Sequence, residues 1–214
     1  VREYLLFHYG EEEDILPYSF GPSNALNFAR RCVKELLNPV VLGRDTRALD
    51  VGCAVGRSSF ELAGYCREVI GLDYSAAFIA AAEKLRCQGS VEYLHTVEGN
   101  RTTTAVARLP EEVNASRVTF AVGDAVDLPD HLGAFDVVLA ANLLCRLPDP
   151  SVFLARLPSL VKPGGQLLIT TPFTWLEEFT PKEKWIGGCQ GTSSADALKK
   201  LLEPNFTLRL AKDI

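Results

Sequence analysis

The chain lacks several features that would narrow its class at once. It contains no methionine among its 214 residues and begins with a valine, so we expect a fragment that does not include the native N-terminus. Its apolar runs are no longer than a strand, and we therefore expect no membrane span. No secretory signal peptide is visible, which favours a cytoplasmic protein.

Clusters of cysteine and histidine are also missing. The six cysteines form no C-x-x-C pair, and the chain has only three histidines. Zinc sites require such clusters, and disulfide frameworks belong to oxidising compartments. We therefore expect no metal, and reduced thiols in a cytosolic protein.

An excess of positive charge is the third absence. The formal net charge is −5, which gives no electrostatic reason to expect a nucleic-acid partner. With 47% hydrophobic and 23% charged residues, the composition is that of an ordinary globular domain. The length fits a single α/β domain, 1–214, better than two small ones. A small zwitterionic or cationic substrate suits this charge balance.

Strand-like and helical segments alternate along residues 44–214. The predicted strands cover residues 47–51, 68–73, 117–122, 135–141 and 166–170, and the predicted helices cover 75–85, 150–160 and 194–202, with a further helix opening at Ser58. This alternation predicts a Rossmann-like α/β fold with a mostly parallel, doubly wound sheet. Residues 1–40 are expected to form an N-terminal cap segment and a helix over 25–37.

Four local patterns refine this prediction. Two β-prone runs on either side of a glycine and an asparagine predict an inserted β-hairpin at about 91–108. Ser58 and Glu61 have the spacing of a helix capping box. Residues 162–165, Lys-Pro-Gly-Gly, predict a tight turn. A strand-like run at 206–210 lies just before the end of the chain, which also suggests truncation.

Asp50, Gly52 and Gly56 lie at the end of the first predicted strand and just after it, in the pattern D-x-G-x-x-x-G. A dinucleotide-binding turn would have the spacing G-x-G-x-x-G, because its amides must hold a pyrophosphate. The carboxylate of Asp50 would repel a pyrophosphate, whereas it suits an ammonium or sulfonium group. The turn therefore favours a cationic ligand without phosphate.

Acidic residues also follow the next two strands of the sheet. Asp73 ends the second strand, where a carboxylate can accept hydrogen bonds from both ribose hydroxyls; its alternative role is to cap the following helix. Asp124 and Ala125 follow the third strand, where they could contact an adenine ring, or simply form a turn. Since parallel strands end at one edge of the sheet, these residues are expected to meet there.

In this order, the motifs resemble those of class I S-adenosylmethionine-dependent methyltransferases. The resemblance implies S-adenosylmethionine as the cofactor and S-adenosylhomocysteine as the product, without a metal. The positions that match the cofactor-binding motifs are Asp50, Gly52, Cys53, Ala54, Gly56, Arg57, Asp73, Tyr74, Gly123, Asp124, Ala125, Asn142 and Leu143.

Four segments narrow the resemblance to the methyltransferase domain of ovothiol biosynthesis. These segments cover residues 4–10, 48–62, 141–148 and 171–180. The resemblance implies methyl transfer to the imidazole π nitrogen of 5-thiohistidine. It also implies a partner, an iron-dependent sulfoxide synthase that is either fused to this domain or separate from it. Because the family continues beyond this C-terminus, the last strand of a seven-stranded sheet is expected to be missing.

The acceptor site must hold the thiolate of such a substrate away from the methyl group, because the thiolate is a better nucleophile than the ring nitrogen. An arginine could bind the substrate carboxylate, and Arg146 is the first candidate, although it could equally be a surface residue. The candidate substrate-binding residues are Tyr4, His8, Tyr9, Arg146, Thr174, Trp175, Glu177 and Glu178, and the candidate catalytic residues are His8, Tyr9, Asn142 and Arg146. His8 could instead line the pocket, and Trp175 could instead pack in the core.

Two other functions stay open, and two more are disfavoured. The domain could methylate another small metabolite, or it could be an inactive module that binds the cofactor. A dehydrogenase is disfavoured by the glycine spacing. A protein or nucleic-acid methyltransferase is disfavoured because Asn142 is followed by Leu-Leu-Cys rather than by an N-P-P-Y-like tetrad.

Overall fold

The computed structural model describes residues 1–16, 18, 20–189 and 191–214. Its α-helices are α1 (Arg2–Tyr9), α2 (Glu12–Ile15), α3 (Phe28–Leu36), α4 (Arg57–Leu62), α5 (Ala76–Gln88), α6 (Pro150–Leu160) and α7 (Ser194–Leu202). Its strands are β1 (Arg47–Val51), β2 (Glu68–Asp73), β3 (Ser90–Glu98), β4 (Arg101–Arg108), β5 (Val118–Val122), β6 (Phe135–Ala141) and β7 (Val161–Thr170).

Five of the strands form a parallel sheet in the order β5-β2-β1-β6-β7. Strand β1 lies at the centre, with Asp50 opposite Gly71 of β2 on one side and Leu139 of β6 on the other. The chain moves outward from β1 first in one direction and later in the other, so the topological switch point lies at the tip of β1. The predicted doubly wound α/β fold is confirmed.

Helices cover both faces of this sheet. Ala48 of β1 and Val137 of β6 belong to a core that includes residues of α3, α4 and α5, whereas their neighbours Leu49 and Val138 belong to a second core with α6 and α7. Neighbouring residues point to opposite faces because the strand period is two. With both faces covered, the strand ends are the part of the sheet left for a ligand.

Strands β3 and β4 pair antiparallel in a separate sheet of two strands. This is the hairpin predicted at about 91–108, and Gly99 in its turn has a φ of 53°. Val91, Tyr93 and His95 form its buried face, against which α1 packs. The predicted insertion is confirmed.

The single helix predicted over 25–37 is wrong at its start. Residues Ser23–Ala25 form a 3-10 helix, and α3 begins only at Phe28. Asn27 lies between them in the left-handed region, with a φ of 57°, a conformation that asparagine tolerates better than most residues.

The C-terminal part differs from prediction in two places. The turn expected at 162–165 lies within β7, where Gly164 has a φ of 78° and the pairing with β6 shifts register. Residues 206–210 pair with no strand of the described chain; Phe206 packs on the second core, while Leu208 and Leu210 are exposed. An extended pattern becomes a strand only where a neighbour pairs its backbone groups.

The seven-stranded sheet that the resemblance implied is represented by five strands in the described chain. None of the helices in that part of the chain combines the length and the apolar character that crossing a membrane requires.

Candidate functional site

Backbone hydrogen bonds join the tips of β1, β2 and β5. The Gly52 amide donates to the Leu72 carbonyl at 2.8 Å, and the Gly123 amide donates to the Asp73 carbonyl at 3.0 Å. The Ala54 amide donates to the Asp73 side chain, to Oδ2, at 2.9 Å. The predicted cofactor residues of three strands therefore meet at one edge of the sheet.

The turn at residues 52–56, which we call the glycine turn, is tightly enclosed. Gly52 has a φ of 78°, and a Cβ there would lie 3.0 Å from Cδ1 of Leu143. Gly56 has a φ of 84°, and its Cβ would lie 2.6 Å from Cζ of Phe120. Cys53 is buried within the turn. Both glycines are thus required by backbone conformation and by close neighbours.

Asp50 lies beneath the glycine turn and is fully buried. Its Oδ2 accepts hydrogen bonds from the hydroxyls of Ser58 (2.7 Å) and Ser59 (2.6 Å), while Oδ1 has no partner in the described chain. Burial raises the pKa of the Asp50 carboxyl to about 6, the two serines oppose that rise, and the charge of Asp73 adds to it. Direct contact of Asp50 with a cofactor ammonium stays a prediction.

The capping box predicted at the start of α4 is wrong. Gly56 is the N-cap, without a side-chain hydrogen bond, and both serines of the first turn donate to Asp50. Glu61 pairs with Arg57 at 2.7 Å. A buried carboxylate needs donors more than an exposed amide does, so it determines the orientation of the serines.

Asp73 is partly buried at the tip of β2, and each of its oxygens accepts one backbone hydrogen bond. Oδ2 accepts from Ala54 at 2.9 Å, and Oδ1 accepts from Ser75 at 2.8 Å. Ser75, not Asp73, caps α5. Because a carboxylate has about four acceptor positions, Asp73 can still accept from hydroxyl donors. Tyr74 beside it is exposed.

Asp124 follows β5 and shapes its own turn. Its Oδ1 accepts from the Val126 amide at 3.0 Å, while its Oδ2 makes no hydrogen bond within the residues that the structure describes. Ala125 is buried. Asp124 therefore does stabilise a turn, as its alternative role required. Its second carboxylate oxygen is left for a donor such as an exocyclic amine.

Asn142 follows β6 and is bound to the tip of β7. Its amide donates to the Thr170 carbonyl at 2.9 Å, and the Thr170 hydroxyl donates to Asn142 Oδ1 at 3.2 Å. The sulfur of Cys32 lies 3.9 Å from the same hydroxyl. Sequence reasoning missed Thr170, although its place as the last residue of β7 was a usable signal.

Three non-glycine residues with left-handed backbone follow the tips of β1, β6 and β7. These are Ala54, Asn142 and Phe173, with φ values of 49°, 52° and 51°. Such conformations cost free energy and gather at ligand-binding sites. Their placement marks the same edge of the sheet as the motifs do.

Helix α1 lies against the glycine turn and the start of α5. The Tyr9 hydroxyl donates to the Val55 carbonyl at 3.0 Å, and the guanidinium of Arg57 lies 5.4 Å from the centre of the Tyr9 ring. The Tyr4 ring centre lies 4.6 Å from that of Phe78. The predicted cap segment therefore contacts the predicted cofactor motif.

His8 is a neutral residue in this setting. Burial, followed by the charge of Arg57, lowers the pKa of His8 to about 4, and its Nδ1 is buried without a partner in the described chain. Burial raises the pKa of Tyr9 well above its ordinary value. Arg57 is committed to Glu61, which makes it a weak candidate for binding a substrate carboxylate.

Arg146 and Thr174 are in contact on the other side of the site. The Nη1 atom of Arg146 lies 3.1 Å from the Cys145 carbonyl and 3.5 Å from the Thr174 carbonyl. Its guanidinium lies 4.8 Å from the centre of the Phe179 ring. Sequence reasoning missed Phe179, because nothing in its spacing indicates this contact.

The remaining acceptor candidates do not converge on one point. The Trp175 indole donates to Ser194 Oγ at 3.0 Å and stacks on Trp185 with ring centres 6.5 Å apart, which favours its core role. Glu177 and Glu178 are exposed. No hydrogen bond or ion pair within the described residues joins the group around His8 to the group around Arg146.

A groove of about 640 Å³ lies away from these strand tips, between α1, α5 and the hairpin. Leu5, Lys84 and Tyr93 are among its lining residues. It contains none of the motif residues, so we place the candidate site at the tips of the parallel strands, where α/β folds bind ligands.

Residues 49–169 match a family of methyltransferase domains. The matched region is more than half of the chain. It begins in β1 and ends within β7, so it contains the glycine turn and the tips of β1, β2, β5 and β6.

Curated relatives include the ubiquinone biosynthesis O-methyltransferases of Burkholderia lata and Marinobacter nauticus. Each is 30% identical, over 63% and 58% of this chain and over 51% and 43% of their own lengths, respectively. The chain thus spans about half the length of these relatives.

A similar solved structure comes from Galdieria sulphuraria, a protein assigned as a sarcosine dimethylglycine methyltransferase. It is 18% identical, covers 68% of this chain and 45% of its own, and has a TM-score of 0.50. The CcbJ methyltransferase of Streptomyces caelestis is 22% identical, covers 66% of this chain and 49% of its own, and has a TM-score of 0.45. The first likeness supports the fold alone.

Proposed function

This chain belongs to the methyltransferase domain family, and from that premise we propose that it transfers a methyl group from S-adenosylmethionine to the π nitrogen of 5-thiohistidine. The carrying observation is that the segments resembling ovothiol methyltransferases contact one another. Tyr9 of the first segment donates to Val55 of the second at 3.0 Å. Arg146 of the third reaches Thr174 of the fourth at 3.5 Å.

The residues at the strand tips fit S-adenosylmethionine. The backbone of Gly52 is in the left-handed region, and a Cβ at this position would lie only 3.0 Å from the Leu143 side chain. The absence of a side chain at Gly52 therefore keeps this part of the glycine turn open. Asp73 has remaining acceptor capacity for ribose hydroxyls, and Asp124 has a carboxylate oxygen for the adenine amine. When bound, the cofactor supplies a methyl group on a sulfonium sulfur. A nucleophile can attack that methyl carbon, and the sulfur then leaves as the neutral thioether of S-adenosylhomocysteine.

The chain's own residues would contribute mainly by positioning. Bringing two reactants into line can supply much of a displacement's rate. In the tautomer with its proton on the τ nitrogen, the π nitrogen of 5-thiohistidine carries a free lone pair, so the transfer itself requires no base. His8 is neutral because its pKa is about 4. It would therefore line the acceptor pocket and offer a hydrogen bond, and it would not act as a cation.

Tyr9 and Asn142 would act on either side of the acceptor. Tyr9 holds α1 on the glycine turn, since its hydroxyl is committed to the Val55 carbonyl. Asn142 is held by Thr170, which fixes the direction of its side-chain amide. Arg146 would bind the acceptor carboxylate. The native partner in this proposal is an iron-dependent sulfoxide synthase, fused or separate, which would supply the acceptor.

O-methyl transfer is a second candidate function. It is favoured by the relatives named ubiquinone biosynthesis O-methyltransferase, which are 30% identical over 63% and 58% of the chain. An oxygen acceptor would have to lose a proton to become a strong nucleophile. An arginine held for a carboxylate would then have no evident purpose, which is why we place this function second.

The test is the product formed from S-adenosylmethionine. The domain is incubated with 5-thiohistidine, histidine or a phenolic acceptor, and products are identified by mass spectrometry and by NMR of the methyl position. We expect methylation of 5-thiohistidine on the π nitrogen. Methylation on sulfur, or turnover of the phenolic acceptor alone, would refute the proposed acceptor. No product from any acceptor, despite binding of S-adenosylhomocysteine, would indicate an inactive binding module.

A further inference from the structure

Arg146 is an exposed residue whose guanidinium contacts neighbouring groups without being neutralised. Nη1 contacts the carbonyls of Cys145 and Thr174, at 3.1 and 3.5 Å, and the planar group lies 4.8 Å from the centre of the Phe179 ring. No carboxylate of the described chain pairs with it, in contrast to Arg57, which pairs with Glu61 at 2.7 Å.

Phe179 is 40% exposed, but the residue that follows it is firmly anchored. The next residue, Thr180, is fully buried. Its hydroxyl donates to the Leu147 carbonyl at 2.7 Å, and its carbonyl accepts from the Trp185 indole at 2.8 Å. The Phe179 ring is therefore attached to a rigid point of the loop after β7, directly beside the residue that follows Arg146.

This pair lies close to the glycine turn. The Arg146 amide donates to the Leu143 carbonyl at 2.8 Å, and Leu143 is the side chain that would lie 3.0 Å from a Cβ on Gly52. A single 3-10 turn, Leu144–Arg146, thus connects Arg146 to Leu143, the residue that packs on the glycine turn.

We propose that Phe179 is a positioning residue that holds the Arg146 guanidinium as a receptor for a carboxylate on the methyl acceptor. An arginine already fixed on an aromatic face loses little side-chain freedom when it binds a carboxylate with both donors. The Nε and Nη2 atoms make no hydrogen bond within the described residues, so they can donate to two carboxylate oxygens. The acceptor class is then a small carboxylic acid, which rests on the proposed function and deepens it.

The test compares acceptors with and without the carboxylate. The probes are 5-thiohistidine and its decarboxylated analogue, 5-thiohistamine, used with wild type, Phe179→Leu, Phe179→Trp, Arg146→Ala and the double variant Arg146→Ala/Phe179→Leu. Tyr65→Leu is the control, because Tyr65 is an aromatic residue of nearly equal exposure, 39%, beyond the end of α4. Binding of S-adenosylhomocysteine is measured for each.

Phe179→Leu should raise KM for 5-thiohistidine about 2- to 5-fold with little change in kcat, the range expected for an exposed cation–π contact. KM for 5-thiohistamine should stay unchanged, and Phe179→Trp should restore the wild-type KM. In the Arg146→Ala background, Phe179→Leu should have no further effect, because the two residues act as one unit.

The two proposals fail differently. A wild type that binds S-adenosylhomocysteine but neither binds nor methylates 5-thiohistidine overturns the proposed acceptor and this inference with it. A wild type that methylates 5-thiohistidine, with Phe179→Leu raising KM equally for both probes or lowering kcat alone, overturns the role of Phe179 only. The same holds if the effects of the two substitutions add.

Discussion

Replacing Asp50 with asparagine should change how the stability of the domain depends on pH. The carboxyl is fully buried, and burial raises its pKa from the ordinary 3.8 to about 6. Each pKa unit corresponds to about 1.4 kcal/mol, so keeping this group ionised costs the folded state about 3 kcal/mol at neutral pH. Asparagine keeps an oxygen that can accept from Ser58 and Ser59.

The sign of this pH dependence follows from proton binding by Asp50 in the folded and unfolded states. Below pH 3.8 the Asp50 carboxyl is protonated whether the chain is folded or unfolded. Between pH 3.8 and about 6 the unfolded chain loses the proton first, so the free energy of unfolding falls as pH rises, and above that range the loss is complete. Other carboxyls add their own pH dependence to both proteins equally.

The assay is urea unfolding of wild type and Asp50→Asn at pH 4, 5, 6 and 7. Any fixed cost of the new amide is the same at each pH and cancels. Because the unfolded-state carboxyl is already partly ionised at pH 4, the variant should gain about 2 to 2.5 kcal/mol on the wild type between pH 4 and pH 7. Asp127→Asn, at an exposed position, is the matched control and should show no such gain. Parallel curves for wild type and Asp50→Asn would refute the argument that burial sets this pKa.

Three further predictions concern the strand tips and α1. Asp73→Asn should weaken binding of S-adenosylhomocysteine about 10- to 100-fold, because hydrogen bonds to a charged acceptor contribute about 1.5–3 kcal/mol; calorimetry beside the exposed control Asp127→Asn checks this, and equal affinities would contradict it. Gly56→Ala should lower the free energy of unfolding by about 1–3 kcal/mol, since its Cβ would lie 2.6 Å from Phe120 at a φ of 84°; an unchanged urea midpoint would count against the packing. His8→Gln should leave the pH profile of kcat/KM between pH 5 and 8 unchanged in shape, because the pKa of His8 is about 4; loss of an inflection in that range would show that His8 titrates there.

Much of the fold could be predicted because buried parallel strands and an amphipathic hairpin leave strong patterns. The run at 135–141 has both faces covered and is almost entirely apolar, whereas Val91, Tyr93 and His95 alternate with exposed residues in β3. The interrupted helix at Asn27 and the unpaired run at 206–210 could not be predicted in the same way. Both depend on what lies beside the backbone, which local patterns do not record.

The candidate site likewise contains residues that the sequence could identify and residues that it could not. Asp73, Asp124 and the glycines could be identified because each follows a strand at a spacing that the family shares. The serines of α4 fit a capping pattern, yet they serve Asp50, a partner eight and nine residues away whose burial the sequence does not state. Phe179 is a similar case, because its contact with Arg146 exists only once the loop after β7 has folded.

The most direct measurement of the central claim is an experimental structure of the domain crystallised with S-adenosylhomocysteine. We expect the ribose on the Asp73 carboxylate, the adenine beside Asp124 and Ala125, and the amino acid part over Gly52. A nucleoside bound in the groove between α1 and the hairpin, or on any surface remote from the glycine turn, would contradict the proposed cofactor site.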